Sequence, residues 1–334
     1  MGDVAMTVPL LRALLAKYPQ LKITVLSKAF FKPFFDGIER VDFYAADVNG
    51  RHKGFLGLLR LFRELKAHKI DAVADLHNVL RSKVIAKLFS LSGKSTATTD
   101  KARAEKKALT RAGNKVFHQL TPILQRHIQT FTELGFPINI SKPVFPQIQP
   151  LNTGVSLLSG EKSGKWIGIA PFAQHQGKVY PSDLMQEIIN RLSSNQDYKL
   201  FLFGGGQKET EQLEQFAANK YNVVVTAGKL KLNNELNLIS HLDLMLSMDS
   251  GNAHIAAMLG VKVITLWGAT HPYAGFSPFN QREDYAITAN REQYPLLPTS
   301  IYGNKIVEGY ENAMRTITPE IVVDKIDKVL KENL

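Results

Sequence analysis

The alternation of short apolar runs with longer amphipathic segments constrains the fold of this chain more than any other feature. Runs such as KITVLS, WIGIAP, KLFLFG and LMLSMD are nearly continuous in apolar residues, and helical patterns such as DLMQEIINRLSS lie between them. Strands that are apolar on both faces are typical of parallel sheets covered by helices on both sides. The alternation therefore predicts βαβ units and a doubly wound α/β fold.

The alternation occurs twice along the 334 residues, a length that also exceeds what a single core usually organises. A stretch rich in proline and polar residues, 141–154, separates the two occurrences. We therefore predict one Rossmann-like domain over residues 1–150, a second over 151–317 and a C-terminal helix over 318–334. The last of these starts with TPE, which is typical of a capped helix N-terminus.

Positive charge is concentrated in one part of the chain. The sequence has 41 basic and 30 acidic residues, and residues 51–120 alone hold 16 basic and 5 acidic ones, which accounts for the whole net charge of +11. Such an excess attracts phosphates, carboxylates or acidic lipid headgroups, although solvated helix faces explain many individual lysines. Because no nucleic-acid-binding module accompanies the charge, we expect no nucleic-acid partner.

Several chemistries lack their sequence signatures. The chain has no cysteine, which excludes disulfides, thiolate metal sites and cysteine nucleophiles. It has no P-loop, no His-Glu-x-x-His and no Asp-x-Asp pattern, so we expect no metal and no cofactor. No apolar run approaches the ~18 residues of a membrane helix, and MGDVAMTVPLLRALL has no basic leader. We therefore expect a cytoplasmic protein.

The most specific local pattern is DSGNAH, residues 249–254, between a predicted buried strand and a short predicted helix. A helix N-terminus offers free backbone N–H groups and the positive end of the helix dipole, which suits a phosphate or pyrophosphate. Helix capping by Asp249 or Ser250 is the alternative explanation. Capping leaves Gly251 and His254 unexplained, so we favour anion binding.

Three further positions are candidates for chemistry, two of them in loops that follow predicted strands, where ligands bind in α/β proteins. Lys178, in the loop QGKVYP, is placed to meet a phosphate, although a solvated lysine is the simpler alternative. Glu209 follows three glycines, which suits either ribose hydroxyls or a tight turn. Asp3 precedes an apolar helix and is either a helix-start acid or a general base. Spacing alone leaves these alternatives open.

Five segments resemble glycosyltransferase family 9, the lipopolysaccharide heptosyltransferases: GDVAMTVPLLRALLAKYP, DLHNVLRS, GKVYP, FGGG and MDSGNAHIAAMLGVKVITLWGATHP. The resemblance covers nearly the whole chain. It implies a GT-B architecture, with two Rossmann-like doubly wound domains facing a cleft, the acceptor on the first and the nucleotide sugar on the second. It also implies an inverting, metal-independent transfer of heptose from ADP-heptose to a Kdo–lipid A acceptor of the lipopolysaccharide inner core.

On the donor side, the resemblance implies a site formed by Lys178, Glu209, Asp249, Ser250, Gly251 and His254. The lysine would neutralise the leaving pyrophosphate, and Ser250, Gly251 and His254 match the helix start that binds the diphosphate. Asp249 would hold the donor sugar, and Glu209 matches the acid that binds the nucleotide.

On the acceptor side, Asp3 matches the carboxylate that deprotonates the acceptor hydroxyl. Arg81 would face the acidic acceptor, and the basic stretch 51–120 suits a glycolipid that carries Kdo and phosphate. Peripheral contact with the inner face of the inner membrane is expected through basic and aromatic surface. The candidate aromatic residues, for which interdomain packing is the alternative, are Phe30, Phe31, Phe34 and Phe35.

The chain departs from the family pattern at its start. Family members have an apolar strand directly before the Gly-Asp pair, whereas this sequence begins there with Met1, so we expect the first strand of the N-terminal sheet to be missing. Loss of a central strand leaves backbone groups of its neighbours unpaired. A non-catalytic or truncated binder of sugar nucleotides or glycolipids is therefore one alternative. A glycosyltransferase with another donor and a sugar-nucleotide epimerase of similar two-domain shape are further alternatives.

Overall fold

The computed structural model describes residues 1–305 and 307–332. The chain divides into two compact units. Unit 1 comprises Met1, Asp3–Ala102 and Thr121–Val144, and unit 2 comprises Gly2, Arg103–Leu120 and the chain from Phe145 onward. Within the described ranges, no helix is both long and apolar enough to cross a membrane.

The elements up to residue 133 are α1 (Gly2–Ala5), α2 (Thr7–Lys17), β1 (Ile23–Ser27), β2 (Val41–Ala45), α3 (Gly54–Lys66), β3 (Ala72–Asp75), α4 (Leu80–Leu91), β4 (Ser95–Thr98), α5 (Arg103–Thr110) and α6 (Ile123–Glu133). Both sheets of unit 1 are parallel pairs, β1 with β2 and β3 with β4, and no ladder joins the pairs among the residues described. A small core lies where α3 and α4 contact each other, with Leu61 and Phe89 near its centre.

The remaining elements are α7 (Thr153–Ser159), β5 (Lys165–Ala170), α8 (Ser182–Ser193), β6 (Tyr198–Leu202), α9 (Gln207–Ala217), β7 (Val223–Val225), α10 (Leu232–Ile239), β8 (Leu244–Met248), α11 (Gly251–Met258), β9 (Lys262–Trp267), β10 (Ala286–Thr288) and α12 (Pro319–Lys331). The six strands form one parallel sheet in the order β10-β9-β8-β5-β6-β7. The strand order reverses between β5 and β8, which makes their carboxyl ends the topological switch point, where ligands bind in such sheets.

Residues 103–120 differ from the predicted N-terminal domain of 1–150, because they pack within unit 2. Leu109 and Leu120 are buried there against Ala274. Ala274 is remote in sequence from Leu109 and Leu120. The amphipathic pattern of α5 would be the same if the helix packed on the core of unit 1. No local signal therefore distinguishes the two assignments.

The C-terminal helix begins where its sequence predicts. The Thr318 side chain accepts a hydrogen bond from the Ile321 N–H (3.4 Å), and Pro319 occupies the first helical position. The buried side chains of α12, Val322, Ile326 and Val329, belong to the main core of unit 2. Helix α12 packs against α8 and is therefore part of unit 2.

Candidate active site

A buried ion pair lies at the switch point of unit 2. Lys178 follows β5 and Asp249 follows β8, and their side chains meet with 2.8 Å between Nζ and Oδ2. The lysine side chain is 16% exposed and the aspartate side chain 7%. Because the two residues follow neighbouring strands, the sheet itself brings together two positions that the sequence separates widely. Asp249 is thus engaged with Lys178 rather than with the backbone of α11.

The N-terminus of α11 has no side-chain cap. Ser250 occupies the N-cap position in an extended conformation but makes no capping hydrogen bond, and its Oγ instead lies 3.1 Å from Ser247 Oγ. The alternative of helix capping by Ser250 or Asp249 is therefore wrong as an account of this segment. Gly251 is half-buried at the first helical position, and His254 is 7% exposed in the first turn. Such an uncapped helix start is suited to an anion.

A segment that the sequence analysis did not identify supports Lys178. Gly303 has a φ of +77°, and a Cβ built on it would lie 2.5 Å from Lys178 Cγ. The Gly177 N–H donates to the Gly303 carbonyl (3.2 Å), and the Ala269 N–H donates to the Gly177 carbonyl (2.9 Å). The loop after β5 is therefore held from two sides. The only signal in the sequence is that Gly303 lies in a turn-like segment. A glycine in a turn does not indicate that it packs against Lys178.

Glu209 closes the glycine loop after β6. Its Oε2 accepts a hydrogen bond from the Gly205 N–H at 2.8 Å, from a position in the first turn of α9. This is the tight turn that was one of the two alternatives for the segment. The hydrogen bond keeps the Glu209 carboxylate near the carboxyl end of β6. Strand β6 is the neighbour of β5 in the sheet.

In unit 1, a rigid turn follows β3. The carboxylate of Asp75 is buried and accepts hydrogen bonds from the N–H groups of His77 (3.0 Å) and Asn78 (2.8 Å) and from Ser82 Oγ (3.0 Å). Asn78 adopts a left-handed φ of 47°, and its Nδ2 donates to the Thr99 carbonyl (2.7 Å) just after β4. The carboxyl ends of β3 and β4 are thereby fastened together.

The predicted acceptor-side residues Asp3 and Arg81 both influence the pKa of His77 in unit 1. The pKa of His77 lies below its ordinary value because the ring is partly buried and because Lys101 and Arg81 are nearby, while Asp3 and Asp75 oppose the shift. Arg81 is exposed in the first turn of α4, and Asp3 is exposed in α1. Asp3, Arg81 and Lys101 thus all influence the pKa of the imidazole that follows β3.

His127 is a residue of this region that the sequence analysis missed. It is 3% exposed on the inner face of α6, and burial lowers its pKa to about 4, against the opposing effects of Asp3 and of a hydrogen bond to the Leu76 backbone. The available signal was the helical spacing of the apolar residues Leu124, Ile128 and Phe131, which places position 127 on the buried face.

The basic stretch 51–120 is divided between the two units, because residues 103–120 belong to unit 2. Residues 51–102 keep eleven basic and four acidic residues in unit 1. Some of these charges are paired, as in the contact of Arg51 with Glu64. Lys53 and Arg60, by contrast, are exposed at and near the start of α3. A positive excess therefore remains on unit 1.

The four phenylalanines after β1 differ in their exposure to solvent. Phe34 and Phe35 are buried in unit 1 and Phe31 is half-buried, so only Phe30 is exposed, at 59%. Two further exposed apolar residues, Phe55 (63%) and Leu56 (80%), begin helix α3. The expectation of an exposed four-phenylalanine surface is therefore wrong for three of its members.

Residues 58–301 match the model of "Glycosyltransferase family 9 (heptosyltransferase)". The chain belongs to glycosyltransferase family 9. It is 26% identical to lipooligosaccharide heptosyltransferase 2 of Haemophilus influenzae, over 98% of this chain and 96% of the relative. It is 24% identical to lipopolysaccharide heptosyltransferase 2 of Salmonella typhimurium, over 99% of this chain and 96% of that relative.

Solved structures agree on the fold of this glycosyltransferase. A family 9 glycosyltransferase from Veillonella parvula superposes with a TM-score of 0.76 at 19% identity, covering 99% of this chain and 95% of that one. An E. coli heptosyltransferase solved with ADP gives a TM-score of 0.69 at 18% identity, covering 98% and 96%. The predicted GT-B architecture, with Rossmann-like α/β organisation, is confirmed.

Proposed function

We propose that this glycosyltransferase moves heptose from ADP-heptose to an inner-core lipopolysaccharide acceptor, with inversion at the anomeric carbon and without a metal ion. The observation that carries the proposal is the buried Lys178–Asp249 pair beside the uncapped start of α11, at the switch point of a parallel sheet. The names of the relatives support heptose and lipopolysaccharide, and the E. coli structure with ADP supports the nucleotide.

In this proposal, unit 2 binds the donor. The diphosphate lies at the N-terminus of α11, where Gly251 allows close approach of the backbone and Ser250 offers a hydroxyl. Lys178 balances the charge that the diphosphate gains as the glycosidic bond breaks, which is electrostatic stabilisation where charge develops. Asp249 holds hydroxyls of the sugar, Glu209 holds the ribose, and His254 completes the wall of the diphosphate site.

Unit 1 binds the acceptor and supplies the base. The proton of the acceptor hydroxyl moves to the Asp3 carboxylate as the hydroxyl oxygen forms its bond to the anomeric carbon. The bond from that carbon to the diphosphate breaks, and its electron pair leaves on ADP. A single displacement of this kind inverts the anomeric configuration. Arg81 and Lys101 attract the carboxylate and phosphate groups of the acceptor.

The test is a transfer assay with ADP-heptose and Kdo–lipid A, following ADP release and the anomeric configuration of the product by NMR. We expect a β-to-α or α-to-β inversion and no loss of rate with EDTA. Asp3→Asn should lower kcat by about 10³-fold, within the usual range for loss of a general base, while ADP binding persists. Asp36→Asn, at an exposed acid of the same unit, is the matched control and should retain full activity.

Other outcomes would replace the proposal. ADP at about 100 times its dissociation constant should stabilise the protein by roughly 2.7 kcal/mol, and stronger stabilisation by UDP or GDP would indicate another donor. Binding of ADP-heptose without transfer would indicate a non-catalytic binder. A changed sugar nucleotide in the absence of acceptor would indicate an epimerase.

We further propose that unit 1 contacts the cytoplasmic face of the inner membrane, where its glycolipid acceptor is anchored. The exposed side chains of Phe30, Phe55 and Leu56 lie in segments that follow β1 and β2. Between these segments is a cleft of about 320 Å³ lined by Lys28, Ala29 and residues 45–49. The exposed Lys28 and Lys53 flank the apolar side chains, a combination that favours an anionic lipid surface.

Vesicle sedimentation tests this contact. Wild-type protein should sediment with vesicles that contain phosphatidylglycerol and much less with pure phosphatidylcholine, and added salt should weaken the binding. The double variant Phe55→Ser/Leu56→Ser should lose most of the bound fraction. Leu157→Ser is the matched control, because Leu157 is 84% exposed in unit 2. Equal binding by both variants would refute the assignment of this surface.

A further inference from the structure

Four hydrogen bonds form a closed circuit around the backbone that carries Lys178. The Ala269 N–H donates to the Gly177 carbonyl (2.9 Å), and the Gly177 N–H donates to the Gly303 carbonyl (3.2 Å). The Gly303 N–H donates to Ser300 Oγ (2.9 Å), and the Ser300 N–H donates to the Ala269 carbonyl (3.1 Å). Because Lys178 directly follows one of the two glycines, the circuit fixes the backbone beside the lysine.

The circuit is closely packed because glycine occupies two of its positions. A Cβ built on Gly177 would lie 2.7 Å from the Gly303 carbonyl oxygen, and a Cβ built on Gly303 would lie 2.5 Å from Lys178 Cγ. Neither glycine therefore accepts a side chain unless the backbone or the lysine shifts. The stem of Lys178 packs directly against the turn that closes the circuit.

Ser300 contributes the only side chain among these four hydrogen bonds. The residue is 3% exposed, and its hydroxyl donates to Asn304 Oδ1 (3.0 Å). Because the hydroxyl hydrogen points to Asn304, the oxygen is free to accept from the Gly303 N–H, and the Tyr302 N–H lies 3.3 Å from the same oxygen. One serine oxygen thus organises the turn over residues 300–304.

The circuit lies at the carboxyl end of the sheet of unit 2, on both sides of β8. Strand β8 lies between β5 and β9, and the circuit joins the loops that follow those two strands. The loop after β8 holds Asp249, whose Oδ2 lies 2.8 Å from Lys178 Nζ. The neighbouring turn therefore sets the backbone position of Lys178, while the ammonium group meets Asp249 just before α11.

We propose that Ser300 is a positioning residue for Lys178, and that its hydroxyl keeps the lysine where the donor diphosphate binds. This inference rests on the proposed function of Lys178 in balancing the diphosphate charge. A binding group of this kind has to be held within about 0.5 Å of its productive position, which residues behind it ensure. Without Ser300 Oγ, the buried Gly303 N–H loses its acceptor and the turn behind the lysine is free to shift.

The expected effect follows from the charge on the diphosphate. That charge increases as the glycosidic bond breaks, so its contact with Lys178 is stronger in the transition state than in the bound donor. Ser300→Ala should therefore lower kcat and leave the KM for the acceptor unchanged. ADP carries the developed charge, and we expect roughly tenfold weaker binding of ADP to this variant, which is about 1.4 kcal/mol.

Ser159→Ala is the matched control. Ser159 is a fully buried serine of unit 2, and its hydroxyl donates to the Gly160 carbonyl (2.8 Å) outside the circuit. This variant loses a buried hydroxyl of the same kind, so it should bind ADP as tightly as the wild-type protein. Thermal melts establish that both variants are folded. If Ser300→Ala does not fold, Asn304→Ala takes its place, because it keeps Oγ and removes only the group that orients the hydroxyl.

A double-mutant cycle in ADP binding separates positioning from a general loss of structure. In the Lys178→Met background, Ser300→Ala should have no further effect on the ADP dissociation constant, because the group that it positions is already gone. A serine with a purely structural role would weaken ADP binding by the same factor in both backgrounds. That result in isothermal titration calorimetry would overturn the proposal.

A measurement without ADP tests the same support. The coupling free energy between Lys178 and Asp249 is obtained from urea unfolding of Lys178→Met, Asp249→Asn and the double variant. If Ser300 positions the lysine, this coupling should be smaller when the cycle is repeated with Ser300→Ala and unchanged when it is repeated with Ser159→Ala. Equal coupling in all backgrounds would contradict the positioning role.

The two proposals fail in different ways. A wild-type protein that binds no ADP would refute the proposed donor site, and the unfolding cycle would still decide whether Ser300 positions Lys178. A wild-type protein that binds ADP, together with a Ser300→Ala variant of equal affinity, would leave the donor site in place and refute the positioning role alone.

Discussion

The two units of this glycosyltransferase bury their strands very differently. In unit 2, every residue of β8 is buried, and the six strands form one continuous parallel sheet. In unit 1, no residue of β1 is buried, and the strands form two separate pairs among the residues described. Parallel strands are stable when helices cover both of their faces, and the central strands of unit 2 meet that condition more completely than the strands of unit 1.

The difference matters because the two sites make different demands. The diphosphate site that we propose for unit 2 consists of backbone N–H groups and one lysine. It depends on a rigid frame, since small displacements weaken every contact. That frame is the switch point between β5 and β8, at the centre of the larger core. The cluster after β3, which we propose to bind the acceptor, instead depends on local hydrogen bonds, above all those accepted by Asp75.

Matched truncations on one strand of each unit should give the largest contrast. Leu246→Ala in β8, where the side chain is fully buried, should lower the free energy of unfolding by about 3–5 kcal/mol. Leu26→Ala in β1, where the side chain is 38% exposed, should cost less than about 1 kcal/mol. Urea unfolding by circular dichroism measures both, and fluorescence of Trp166 and Trp267 reports on unit 2. Equal losses would contradict the comparison.

Removal of one partner from the switch-point pair should have the next largest effect. Lys178→Met leaves the buried Asp249 carboxylate without its cation, which should cost about 3 kcal/mol of unfolding free energy. The double variant Lys178→Met/Asp249→Asn should recover much of that loss, because no buried charge remains. Arg315→Met, which removes an exposed pair with Asp183, is the control and should cost less than about 1 kcal/mol. A double-mutant cycle without coupling would show that the pair adds nothing to unit 2.

Acid should destabilise both units, and a buried histidine in each unit should contribute most among the histidines with a lowered pKa. Burial lowers the pKa of His127 in unit 1 and of His271 in unit 2 to about 4, with Arg291 adding to the shift of His271. In the unfolded chain these rings bind a proton near the ordinary value of 6.5, whereas the folded rings stay neutral until about 4. Stability is therefore lost as the pH falls from 6.5 toward 4, by roughly 2–3 kcal/mol for each residue.

Single substitutions of the two histidines test which unit each part of the acid sensitivity belongs to. His271→Asn should flatten the pH dependence of unfolding seen by tryptophan fluorescence, since Trp166 and Trp267 both lie in unit 2. His127→Asn should leave that signal unchanged and flatten the remaining dependence seen by circular dichroism. An unchanged pH profile in both variants would refute the assignment.

The smallest effect concerns the support of Lys178. Alanine at Gly303 or Gly309 is strained by about 1 kcal/mol, because both have φ near +80°. Only Gly303→Ala places a Cβ against Lys178, at 2.5 Å from Cγ, whereas Gly309 has nothing within 4 Å. We expect similar melting temperatures for the two variants and a roughly tenfold weaker ADP affinity for Gly303→Ala alone, which is about 1.4 kcal/mol. Equal ADP affinities would show that the Gly303 contact is unimportant.

The central strands of unit 2 were predictable because their runs are nearly continuous in apolar residues. The strand β8 lies within the predicted run LMLSMD, and β5 and β6 begin one residue before the predicted runs WIGIAP and KLFLFG. The strand β4, with the sequence STAT, is short and polar, so its pairing with β3 depends on neighbours that local periodicity does not report. The helix start after β8 was recognisable from DSGNAH, because helix capping does not explain the glycine and the histidine in this motif.

The sequence by itself determined the α/β class, the loops that hold the candidate site residues, and the family. Each of these depends on local patterns of apolar spacing and on short motifs. The tertiary structure decided which of those loops meet. It paired Lys178 with Asp249, placed Gly303 behind the lysine, assigned residues 103–120 to unit 2 and buried His127 on the inner face of α6. Each of these depends on the packing of segments remote in sequence, and burial and strand order are properties of the assembled fold.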